Sequence, residues 1–100
     1  VKSSVIEKVK RLQRISVQRL FLIDTLSYTK GMEIVQASKP DYIELLPGCM
    51  DKMIRRTKEK GFQVLAGGLI ETPEEVERAI QSGATAITTS KPELIKRYAY

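Results

Sequence analysis

The sequence predicts an α/β fold of four parallel βα units preceded by a helix, on three observations. Four short apolar runs begin near residues 17, 42, 63 and 86, a spacing of 21 to 25 residues. Helical patterns alternate with these runs, and strands alternating with helices at such spacing build a parallel sheet. Two Gly/Thr/Ser-rich turns, one after each of the last two runs, lead into helix starts. A chain of 100 residues is one domain or part of one. Four βα units fit either a small open doubly wound sheet or half of a (β/α)8 TIM-type barrel.

Ser4 to Ile15 has Val5, Ile6, Val9 and Leu12 at near-helical spacing, which predicts the leading helix. Val17 to Asp24 (VQRLFLID) reads as the first strand. Ser27 is then expected to cap a helix running to about Ala37, with Gly31 as its weak point. Tyr42 to Leu46 (YIELL) is the second strand, closed by Pro47-Gly48. A helix from Cys49 or Met50 to Lys60 ends against Gly61, in the position glycine favours just past a helix. Gln63 to Ala66 is the third strand, and Thr72 to Gln81 the next helix, stopped at Gly83. Thr72 and Glu75 have the spacing of a capping box around Pro73, and Ser90 and Glu93 repeat it around Pro92. Ala86 to Thr89 is the fourth strand, and Pro92 to Tyr98 the last helix.

Composition excludes several function classes. No apolar run approaches the roughly 20 residues that span a bilayer, so no membrane partner is expected. The chain contains no histidine, which removes histidine-ligated zinc and Ser–His–Asp or Cys–His catalysis within it. The single Cys49 forms no internal disulfide and fits a reducing compartment. No lysine ends a predicted strand, which argues against a Schiff-base aldolase. No closely spaced carboxylate pair suggests a metal site. From the start at Val1 rather than a methionine, a fragment or processed form is expected.

Net charge is +5, and it is unevenly placed. Lys2, Lys8, Lys10, Arg11, Arg14 and Arg19 face only Glu7 in the first 19 residues. Lys52, Arg55, Arg56, Lys58 and Lys60 make a second basic stretch. Such clusters are either solvated helix faces or surfaces that meet nucleic acid.

Ligands of parallel α/β sheets sit outside the carboxyl ends of the strands. That rule selects Asp24, Pro47-Gly48, Gly67-Gly68 and Thr88-Thr89-Ser90. Adjacent glycines let backbone approach a ligand closely, and a helix start supplies free N–H groups to an anion. The two turns resemble the phosphate grip after the last two strands of a (β/α)8 barrel. A small phosphorylated ligand is therefore expected, held by Gly67, Gly68, Thr89 and Ser90. Asp24 is either a capping residue or a hydroxyl binder. Glu44 lies inside an apolar strand, where a buried carboxylate needs a partner such as Arg19 or Gln18. It is either a structural ion pair or a ligand contact.

The strings QRLFLIDTLS, PDYIELLPGCM, VLAGGLIETPEEV and AITTSKPEL, in this order, resemble the glycerol-3-phosphate-responsive antiterminators, the glycerol uptake operon antiterminator regulatory proteins of bacteria. The match spans essentially the whole chain. The resemblance implies a (β/α)8 barrel of which this chain is the C-terminal half, with Val17–Asp24 near the fifth strand and Ala86–Thr89 as the eighth. It implies a cytoplasmic regulator, not an enzyme, with glycerol 3-phosphate as effector and no cofactor. Such a protein acts on leader mRNA of glycerol-utilisation operons, prevents termination and stabilises the transcript. Gly67, Gly68, Thr89 and Ser90 then hold the phosphate, and Asp24 and Glu44 become candidates for the glycerol hydroxyls.

Lys10, Arg14, Lys52, Arg55 and Arg56 are the RNA-facing candidates, since Lys and Arg supply salt-dependent phosphate contacts. Few aromatic residues lie among them, so backbone contacts rather than base stacking are expected. A free half-barrel exposes two strand edges and an inner face, so a homo-oligomer or the missing N-terminal half is the expected partner. Two other classes remain open at this point. One is a phosphosugar isomerase or synthase whose catalytic residues lie outside the chain, since many enzymes share the grip. The other is a structural piece that only dimerises.

Overall fold

The computed structural model describes Ile6 and residues 15–98, the side chains of residues 97 and 98 excepted. The leading helix expected over Ser4 to Ile15, and with it Lys10 and Arg14, lies outside the described residues. Within them the order is β1 (Val17–Phe21), α1 (Thr25–Ser38), β2 (Tyr42–Leu46), α2 (Asp51–Glu59), β3 (Gln63–Gly67), α3 (Pro73–Gln81), β4 (Ala86–Thr88) and α4 (Pro92–Tyr98). The strands pair in parallel, in the order β1-β2-β3-β4. Four parallel strands alternating with helices make an α/β arrangement consistent with half a barrel of βα units.

Pleating divides the sheet into two unlike faces. Leu20, Ile43, Leu45, Val64 and Ala66 point to one side and pack with Tyr28, Met32 and Val35 of α1, Ile54 of α2 and Ala79 of α3. Full burial of each large apolar side chain there contributes roughly 1.5–3 kcal/mol. The alternate residues, Val17, Arg19, Phe21, Tyr42, Glu44, Leu46, Gly67 and Thr88, point to the other side. Val17 and Phe21 remain exposed there. A second, smaller cluster of Ile70, Val76 and Leu94 binds α3 and α4 to the ends of β3 and β4.

At the amino ends of the strands, Asp41 and Ser16 exchange bonds: Ser16 N–H donates to Asp41 Oδ2 at 2.8 Å and Asp41 N–H to Ser16 Oγ at 3.0 Å. That clamp starts β1 and β2 in register and leaves the opposite end of the sheet for function.

β3 ends one residue later than expected, at Gly67, and β4 and α2 one earlier, at Thr88 and Glu59; one strand end and two caps differ more. β1 ends at Phe21 rather than Asp24, because its partner β2 ends at Leu46, and only Leu22 N–H continues the ladder, to Leu46 O at 2.7 Å. Asp24, not Ser27, is the cap of α1. Its backbone is extended, its carboxylate accepts Ser27 N–H, and Ser27 Oγ in turn accepts Asp24 N–H. Ser90 does not cap α4. The first helical carbonyl there is that of Lys91, which accepts from Leu94 and Ile95. The Thr72–Glu75 capping box of α3 is present as expected.

Candidate functional site

The carboxyl ends of the strands frame a cavity of about 570 Å³ lined by Arg19, Glu44, Leu46, Thr88 and the two turns Gly68–Glu71 and Thr89–Lys91. Glu44 sits at its floor and is buried. Register sets Glu44 directly opposite Arg19 of β1. Arg19 Nε–H donates to Glu44 Oε1 at 2.8 Å. From the other side, Thr88 Oγ1–H donates to Glu44 Oε2 at 2.8 Å. Both carboxylate oxygens are thus engaged, which answers the demand that a buried charge be paired.

Gly67 makes the second of these bonds possible. A Cβ at Gly67 would collide with Thr88 Oγ1 and lie 3.1 Å from Glu44 Oε2. The bare backbone of β3 is therefore the space through which β4 reaches β2. Gly68 has φ of +73°, a left-handed conformation that glycine adopts at little cost, and it turns the chain onto the rim. Gly48 N–H ties the preceding loop to this turn through Gly68 O at 2.9 Å. Leu69 follows with φ of +57° and is exposed, an uncommon conformation for a branched side chain.

The two turns are fastened to each other. Thr89 Oγ1–H donates to Ile70 O at 3.2 Å and accepts Lys91 N–H at 3.1 Å. Lys91 Nζ lies 3.3 Å from Glu71 Oε2, an ion pair with both partners about half exposed. Beside them Glu75 Oε1 accepts the N–H groups of Glu71 at 3.0 Å and Thr72 at 3.1 Å. The Glu71 N–H bond above all, with help from Thr72 and Arg78, holds the Glu75 carboxyl below the usual carboxylate range. Glu75 thus occupies the two N–H groups just before this helix, and Thr72 Oγ1 accepts the N–H of Glu75 within it.

Of the six residues singled out for ligand, Gly68, Thr89, Ser90 and Glu44 line the one cavity, with Gly67 buried directly beneath. Asp24 stands elsewhere. It caps α1 and lines a separate cavity of about 210 Å³ with Tyr28, Met50, Met53, Lys52 and Arg56. Lys52, Arg55 and Arg56 are exposed on α2, and the buried Ile54 and Thr57 between them fix which side of that helix faces out. Sequence reasoning named Arg19, with Gln18, as a partner for Glu44, and Arg19 is that partner; it counted neither Arg19 nor Lys91 among the ligand residues. The signal for Arg19 was its odd-numbered place in an alternating strand, opposite the one carboxylate of YIELL. Lys91 carried no distinguishing signal.

Among the described residues, no group of three or more His, Cys, Asp or Glu side chains could hold a metal ion. No helix among them is long and apolar enough to cross a membrane.

A protein-family model described as glycerol-3-phosphate responsive antiterminator matches residues 1–95. The uncharacterised protein YgcP of Escherichia coli (strain K12) is 36% identical over 90 residues, which is 89% of this chain and 47% of YgcP. A crystal structure of a glycerol uptake operon antiterminator regulatory protein from Listeria monocytogenes str. 4b F2365 superposes with a TM-score of 0.92 at 43% identity, covering 95% of this chain and 52% of that one. A glycerol uptake operon antiterminator-related protein from Thermotoga maritima MSB8 gives 0.82 at 27% identity, covering 97% and 55%. The chain spans about half the length of these relatives.

Proposed function

Because the chain belongs to the glycerol-3-phosphate-responsive antiterminator family, we propose that it carries the effector cavity of a transcription antiterminator. Glycerol 3-phosphate occupies the space at the carboxyl ends of β1 to β4. Its phosphate lies against the Gly68 turn, between Thr89 and Ser90, with Gly67 beneath. Its hydroxyls lie toward Glu44. The observation that carries this reading is the cavity itself, in which two turns fastened through Thr89 and Ile70 face the cations Arg19 and Lys91. Asp24, on a different cavity, is the less favoured hydroxyl partner.

The exposed cations Lys52, Arg55 and Arg56 of α2 offer the described surface to leader mRNA of glycerol-utilisation operons. Ligand binding shifts the protein toward the RNA-competent state, which requires that this state bind the ligand more tightly than its alternative. The protein works in this way as a cytoplasmic regulator without a catalytic step or cofactor, and prevents termination in the leader. Its uncovered sheet face is closed by a second copy or by further barrel strands of the same protein.

Calorimetric titration with glycerol 3-phosphate, followed by leader-RNA binding with and without it, tests this reading. Saturable binding that also raises RNA affinity supports it. RNA affinity indifferent to a bound ligand contradicts it.

A further inference from the structure

We propose that Arg19 is the fixed anion receptor of the cavity and that Glu44 and Thr88 act through it as positioning residues. This rests on the reading of the cavity as a phosphate site and adds the residue that carries its charge. Three backbone donors beside the turns are engaged: Glu71 and Thr72 N–H on Glu75, and Lys91 N–H on Thr89. Backbone N–H groups carry only partial charge, so a doubly charged phosphate in this space also calls on the side-chain cations of the wall, Arg19 and Lys91.

The two cations on the cavity wall differ in how firmly they are held. Lys91 pairs with Glu71 at 3.3 Å, with side chains 47% and 54% exposed. Such a pair contributes little and exchanges readily. Arg19 pairs with a carboxylate whose side chain is only 11% exposed. Glu44 cannot release it without leaving a buried charge uncompensated. The pairing uses Nε–H alone, so the two terminal nitrogens of the planar guanidinium keep their N–H donors. The Arg19 side chain itself is 61% exposed and lines the cavity. One edge of the fork is anchored and the other is presented, the geometry that suits bidentate phosphate recognition.

Glu44 is in turn held by Thr88, which reaches it through the space at Gly67. The series Thr88, Glu44, Arg19 therefore links β4, β2 and β1 across β3 and sets the guanidinium before a ligand arrives. Pre-organisation of this kind raises affinity by lowering the ordering cost of binding.

The test compares wild type with Arg19→Met, Thr88→Val and Thr88→Ser in titrations with glycerol 3-phosphate, inorganic phosphate and glycerol. Urea midpoints confirm that each variant is folded. Arg19→Met is expected to weaken both phosphorylated ligands about tenfold to a hundredfold, the range for loss of a charge-assisted bond. Thr88→Val removes the hydroxyl at nearly constant shape and is expected to weaken them several-fold. Thr88→Ser restores the hydroxyl and the affinity. The Arg19 Nε–H resonance should move on phosphate addition in wild type and change its starting position in Thr88→Val. Phosphate binding by wild type that Arg19→Met or Thr88→Val leaves unchanged overturns the proposal while the anion cavity stands. Failure of wild type to bind either phosphorylated ligand overturns the cavity reading, and this proposal with it.

Discussion

Thr88 on β4 donates to Glu44 on β2 at 2.8 Å although β3 runs between their strands. The bond crosses β3 at Gly67, the one place in that strand where no side chain intervenes. This contact joins packing to function, because the carboxylate so held also fixes Arg19 at the cavity wall.

Gly67→Ala should lower stability by about 1–3 kcal/mol, the usual cost of overpacking a close-packed site. Thr88→Ala in the same chain removes the atom in collision, so the double variant should recover part of the loss. Urea denaturation of the four proteins gives the coupling directly. Additive losses would show that Thr88 and Gly67 do not share this space.

Much of the fold was legible because short-range rules dominate it. The alternating apolar runs at 17, 42, 63 and 86 became β1 to β4, and Thr72 with Glu75 formed the box their spacing predicts. Where two rules of similar strength met, the sequence was ambiguous. Asp24 and Ser27 are both capping residues three apart, and only the extended backbone of Asp24 decides which is the cap. α4 begins at Pro92 as expected, but its first helical carbonyl is that of Lys91 and not of Ser90. The site was half legible. Gly68, Thr89, Ser90 and Glu44 stand at strand ends or break an apolar pattern, so they announce themselves. Arg19 was legible only as one of two partners for Glu44, with Gln18, and the β1–β2 register, a long-range property, decides between them.

Thr72→Ala should cost about 1 kcal/mol, the usual value for a lost threonine cap. Glu75 adds a pH dependence of definite sign. Its folded pKa lies below the ordinary value, so its contribution is complete above about pH 5 and fades as pH falls below about 4.3, the ordinary glutamate pKa. Glu75→Gln should flatten the urea midpoint against pH over that acid range. A midpoint profile unchanged by Glu75→Gln would remove this carboxylate from the acid response.

Leu69→Gly should raise stability by about 0.5–1 kcal/mol. The left-handed conformation at φ of +57° costs a side-chain-bearing residue roughly 1–2 kcal/mol, partly offset by the greater chain entropy of glycine. Thermal or urea denaturation reads the difference. A loss of stability would mean that the exposed leucine makes a contact worth more than its strain.

Reversing charge at Arg55 and Arg56 together should weaken leader-RNA binding and reduce the slope of log affinity against log salt by about 1 to 2, the share of two phosphate contacts. Filter binding across a salt series measures it. An unchanged slope would take this face of α2 out of the RNA interface.

The most direct measurement is an amide NMR titration with glycerol 3-phosphate, with glycerol and inorganic phosphate as controls. Binding in the cavity predicts saturable shifts centred on Gly67, Gly68, Thr89 and Ser90, larger for glycerol 3-phosphate than for phosphate, with Asp24 and the α2 cations little moved. Shifts centred instead on Asp24, Lys52 and Arg56, or a folded spectrum that no phosphorylated ligand perturbs, would contradict it.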